Sequence, residues 1–142
     1  MQEEDRIAIY LSHQHSPYMT LEIQEEVCRT ECKMRELNHL TMFREFERNK
    51  KVVLDKLIED SRYYKYIVIY SLSCLDGTLP GITHYLKKII DANVEFLSVM
   101  DPINLKEFGA NSSATVIMSA CIAHALHTHN VWENIIEFKS EN

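Results

Sequence analysis

The chain is 142 residues long, 46% apolar and 25% charged, with a formal net charge of −6. That size suits one domain with a real hydrophobic core, and the composition excludes a disordered or membrane-spanning chain. The acidic balance also argues against strong nucleic-acid binding by this chain alone, because such binders usually carry a basic stripe.

The opening "MQEEDR" is polar and acidic, unlike a secretory signal, so a cytoplasmic location is expected. Residues 6–11, "RIAIYL", are a short apolar run suited to a buried parallel strand. The loop "SHQHSPY" follows, with Ser16-Pro17 or Thr20 as helix-start signals. From there to about Asn38, Ile23, Val27, Thr30, Met34 and Leu37 recur at three- and four-residue steps. This spacing predicts a helix with that stripe as its apolar face. Cys28 and Cys32 are neighbours on the same helix and suit core or groove positions. Four cysteines are too few for a disulfide scaffold, and no second pair has zinc-ribbon spacing.

Residues 40–46 alternate, with Leu40, Met42, Arg44 and Phe46 opposed to Thr41, Phe43 and Glu45, as in a strand near a sheet edge. Arg44, Arg48, Lys50 and Lys51 are mixed with Glu45 and Glu47 and read as a solvated face. Asn49 is placed to cap a helix reaching about Asp60, buried through Val53, Leu54, Leu57 and Ile58. "YIVIYSL" (66–72) is the strongest central-strand signal. Leu79, Ile82, Leu86 and Ile89 then define an amphipathic helix with Asn93 as its stop. "VEFLSVM" (94–100) reads as a fourth strand, ended by Asp101-Pro102. Alternating strands and helices at this spacing imply a wound α/β sheet in a single domain over 1–142.

The segment from about Ser112 to His127 differs. "SATVIMSACIAHAL" is apolar or small nearly all round and contains no charge. Such a helix is either sandwiched inside the fold or covered by another chain. Val116, Ala120, Ala123 and His127 mark the candidate oligomer surface, and Cys121 suits its core. The tail, "VWENIIEFKS", suits an edge strand or a helix lying on that surface. Neither this apolar run nor "IVIY" reaches the ~20 residues a bilayer requires.

In wound sheets the functional crevice lies beyond the carboxyl ends of the central strands. Here that means Ser12-His13-Gln14-His15 after the first strand and Ser71 through Gly77 after the third, flanked by Met100-Asp101-Pro102. His13 and His15, joined by Cys74 and Asp76, are one candidate metal set, and a hydrolase using metal-bound water is the enzyme reading it would support. His127 and His129 form a second His-x-His pair. Asp76-Gly77 is equally an ordinary turn, and no metal or cofactor is expected. With three glycines, the chain offers no Gly-rich phosphate cradle. The first strand ends without the carboxylates a response regulator needs.

The order of these elements resembles the catalytic domain of serine recombinases, the resolvase/invertase family. "RIAIY" looks like that family's opening strand and "LEIQEEVCR" like the start of its first helix. "IVIYSLSCLDGTLPGITHYLKKIIDANVEFLSVMDPIN" is similar to its third strand, following loop and helix, and the strand ending in a Pro-Ile turn. The likeness covers roughly residues 6–127. It implies a mostly parallel, four- to five-stranded sheet with helices on both faces and a long apolar C-terminal helix through which the family self-associates.

The departures fall where the family's chemistry lies. The resemblance places the nucleophilic serine at Gln14 and an arginine at Ser12. It places an acid and two arginines at Ser73, Cys74 and Gly77. A further arginine is expected late in the long helix, yet after Arg62 the chain has none. An amide cannot form a covalent phosphodiester link, and serine, cysteine or glycine cannot replace a bidentate, always-charged guanidinium. The acidic "HNVWENIIEFKSEN" is also too short for the helix-turn-helix that follows in such recombinases. The resemblance therefore implies a non-catalytic interaction or regulatory domain tied to a prophage or mobile element. It would self-associate or pair with another regulator or recombinase.

Overall fold

The computed structural model describes residues 5–13, 19–47 and 50–101, apart from the Leu79 side chain. The chain there runs β1 (Ile7–Ser12), α1 (Leu21–Met34), β2 (Leu40–Glu45), α2 (Val52–Glu59), β3 (Tyr66–Ile69), α3 (Leu79–Asp91) and β4 (Glu95–Ser98). The strands form one parallel sheet in the order β2-β1-β3-β4. This is the wound α/β architecture expected, with β2 at an edge.

Strand β1 is buried along its whole length because its run stays apolar until Ser12 and both its faces are covered. On one face Ile7, Ile9 and Leu11 join Val68 and the Cys28 and Cys32 thiols of α1. On the other, Ala8, Tyr10, Ile67 and Ile69 meet Leu54 and Leu57 of α2 and Ile82, Leu86 and Ile89 of α3. Helices thus lie on both faces of the sheet. Each fully buried leucine or isoleucine contributes about 1.5–3 kcal/mol.

Local signals explain most boundaries. Thr20 caps α1 by accepting from the Ile23 N–H, and Thr78 caps α3 by accepting from the Gly81 N–H. Helix α3 ends as expected, with Asn93 in the left-handed region at φ 58°. Strand β3 stops at Ile69, short of residue 72, because Leu72–Cys74 turn into a 3-10 helix. Strand β4 is likewise limited to Glu95–Ser98.

Two expectations are corrected. Helix α1 does not bury the Ile23, Val27, Thr30, Met34 stripe. It buries Gln24, Cys28 and Cys32, while Ile23 is 41% and Met34 75% exposed. Inward rotation is set by Gln24, whose amide finds two backbone partners at the end of β1. Helix α2 starts at Val52 after Lys51, without a side-chain cap of its own. Glu45, at the end of β2, supplies the missing acceptor: its carboxylate receives the Val53 and Leu54 N–H groups. Asn49, the expected cap, lies outside the described residues. So do the 112–127 helix with Val116, Ala120, Cys121, Ala123 and His127, His129 and the 131–142 segment. Among the described residues no helix is long and apolar enough to cross a membrane.

Candidate functional site

The carboxyl ends of β1, β2 and β3 converge on a polar network centred on Ser12. Ser12 is the last residue of β1 and is fully buried. Strand β3 pairs with β1 only as far as Tyr10, so Ser12 extends past the β3 ladder. The Gln24 side chain occupies that end: Oε1 accepts from the Ser12 N–H at 3.1 Å and Nε2 donates to the Ser12 carbonyl at 2.8 Å. An amide is the one neutral group that offers a donor and an acceptor side by side, which is why a glutamine fits here.

The Ser12 hydroxyl is engaged as well. The Lys51 ammonium donates to its Oγ at 2.8 Å. Ser12 also hydrogen-bonds the Tyr10 phenol, which donates to Glu45 Oε1 at 3.1 Å. Glu45 completes the circuit at the α2 N-terminus, immediately after Lys51. Burial and then the Glu45 charge push the Tyr10 phenol far above its ordinary value, with the Ser12 hydrogen bond acting oppositely. Burial pulls the half-buried Lys51 amine below its ordinary value, against the opposing pull of the Glu45 and Asp76 carboxylates. Lys51 is therefore not on a solvated face, contrary to expectation. It is the cation of this network.

The loop after β3 is held from two sides. Cys74 is fully buried, and its thiol donates to Gln24 Oε1 at 3.6 Å. Burial raises the Cys74 thiol, so it stays protonated and is a poor nucleophile or metal ligand. Ser71 and Ser73 share a hydrogen bond of 2.6 Å between their hydroxyls. Asp101, buried after β4, accepts from the Leu72 N–H at 2.8 Å and the Ser98 hydroxyl at 2.7 Å. It pins this loop to the neighbouring strand end.

Asp76 belongs to the start of α3. Its carboxylate accepts from the Thr78 N–H and hydroxyl and occupies the space a side chain at Gly81 would fill. Gly77 is exposed, with open space where a Cβ would stand. Among the described residues no three His, Cys, Asp or Glu side chains gather where they could hold a metal ion. His13 is backbone-bonded to the Glu45 carbonyl, and Gln14 and His15 lie outside the described residues.

Of the positions singled out in the sequence, Ser12 and Cys74 are brought together through Gln24, while Gly77 and Asp76 stand apart at the α3 entrance. Gln24, Glu45 and Lys51 were missed as site residues. Gln24 is spaced four residues before Cys28 and eight before Cys32, a legible line once the thiols are placed inward. Lys51 follows β2, whose end also borders the crevice.

Chemically, the described residues of the network offer hydroxyls, an amide, a carboxylate, a protonated thiol and the Lys51 ammonium.

The fold has clear counterparts among solved structures. The N-terminal catalytic domain of TP901-1 integrase superposes with a TM-score of 0.62 at 14% identity, covering 94% of this chain and 99% of that one. A resolvase family site-specific recombinase from Streptococcus pneumoniae gives 0.58 at 15% identity, covering 96% and 97%. The C-terminal catalytic domain of IS1535 TnpA, an IS607-like serine recombinase, gives 0.54 at 14%, covering 86% and 98%. No protein-family model matches the sequence, and no curated protein does. The chain thus has the fold of serine-recombinase catalytic domains.

Proposed function

We propose that this recombinase-fold domain does not break nucleic-acid backbones and acts by protein association, as a regulator linked to a prophage or mobile element. The observation that supports this reading is the closed state of the Ser12 network. Its hydroxyl is buried and accepts from Lys51 while its backbone is clasped by Gln24, so turning that hydroxyl toward a phosphodiester breaks the Lys51 bond with the backbone still held in place. The position expected to carry the family's nucleophile is Gln14, which has no nucleophilic oxygen. Ser73, Cys74 and Gly77 bring no positive charge to the positions where the resemblance expects an acid and two arginines.

The association is assigned to the charge-free 112–127 helix, with Val116, Ala120, Ala123 and His127 facing a second copy or a related recombinase. Light scattering on the purified chain and on Ala120→Glu tests it. The expected result is an oligomer that becomes monomeric or insoluble on substitution. An oligomer unchanged by Ala120→Glu would remove this helix as the interface.

A further inference from the structure

Helix α1 presents a second apolar face that the sheet leaves uncovered. Ile23, Val27, Thr30 and Met34 follow one another at steps of four, three and four, the spacing of a coiled-coil seam. In the helix they lie within one narrow stripe, turned well away from the buried Gln24, Cys28, Cys32 line. Ile23 and Met34 are exposed, and Val27 is half-buried. The Thr30 hydroxyl donates back to the Glu26 carbonyl at 2.9 Å, which satisfies its polar group within the helix.

The charges beside the stripe say what covers it. The other ionic side chains of α1 are largely paired: Glu25 with Arg29 and Arg44, and Glu31 with Arg35. Glu26 and Lys33 lie about two turns apart on one flank of the stripe, both exposed. Among the described residues neither has an ion-pair partner. A neighbouring helix carrying the complementary pattern in reverse order would satisfy both. Helix α1 itself is such a helix.

We infer that α1 pairs with α1 of a second copy of this chain, antiparallel about a two-fold axis. Ile23 packs on the partner's Met34 and Val27 on the partner's Thr30, and Glu26 faces the partner's Lys33 on each side. Such an interface is isologous, so every contact occurs twice. The parallel alternative brings Glu26 beside the partner's Glu31 and is disfavoured by like charge. The seam is only about 16 Å long, so this contact is weak and concentration-dependent when it acts alone. It involves none of the residues 112–127 assigned to association above, and two different two-fold contacts on one chain would extend a dimer into a larger assembly.

Sedimentation equilibrium on the full chain, Glu26→Lys, Lys33→Glu and the double exchange tests this directly. Both positions are exposed, so circular dichroism and melting should stay unchanged and report intact folding. Each single reversal places like charges together twice and should weaken association about tenfold, while the double exchange restores it. Equal association, or equal absence of association, in all four proteins overturns the inference. Weakening by both single changes without recovery in the double overturns the antiparallel pairing.

Discussion

Helices α1 and α3 solve the same packing problem in opposite ways. Helix α3 lays Ile82, Leu86 and Ile89 on the sheet, so its apolar stripe and its buried face coincide. Helix α1 lays down an amide and two thiols and leaves Ile23 and Met34 in solvent. Periodicity identifies which residues share a face; it does not say which face meets the sheet. A polar side chain with two backbone partners waiting at a strand end can decide the rotation, because leaving those groups unpaired costs more than exposing two apolar side chains.

The sharpest way to break this contrast is to remove the amide. Gln24→Leu leaves the Ser12 N–H and carbonyl without their side-chain partners and should cost about 2–5 kcal/mol in chemical denaturation, similar to Leu86→Ala on α3. A cost under about 0.5 kcal/mol would show that Gln24 does not set the orientation of α1.

Alkaline titration probes the thiol half of the same face. The unfolded chain ionises its thiols near 9.0, whereas burial pushes Cys28 up to about 12 in the folded chain. Stability from this group is complete below the unfolded value and is lost as pH rises toward the folded one. At about pH 10 the loss from Cys28 should be about 1.4 kcal/mol, and Cys28→Ala should flatten that slope.

Gly81→Ala tests the α3 entrance. A Cβ there would collide with the Asp76 carboxylate, so the carboxylate must leave Thr78. A net loss of about 1 kcal/mol is expected, the better helix propensity of alanine offsetting part of the damage. The smallest effect belongs to the outer face of α1. Met34→Gln should change the stability of dilute protein by less than about 0.5 kcal/mol.

Most of the scaffold was legible because its signals are local. The apolar run of β1, the β-branched run of β3, the Leu79 to Ile89 spacing and the Asn93 stop each declare themselves within a few residues. The crevice was harder to read because its decisive contacts join distant segments. Lys51 reaches Ser12 across 39 residues, Cys74 reaches Gln24 across 50, and Glu45 caps a helix that lacks its own cap. Charge patterning placed Lys51 in solvent because Arg44, Arg48, Lys50 and Lys51 are mixed with Glu45 and Glu47. The half-burial that lowers its amine arises only when β2 and α2 pack beside β1.

The central claim concerns chemistry at the Ser12 network and is tested most directly by incubating the purified chain with supercoiled DNA and resolving the products under denaturing conditions. The account predicts neither nicked DNA nor a covalent protein–DNA adduct. A nuclease-resistant, protein-linked DNA end that disappears in Ser12→Ala or Gln14→Ala would contradict it.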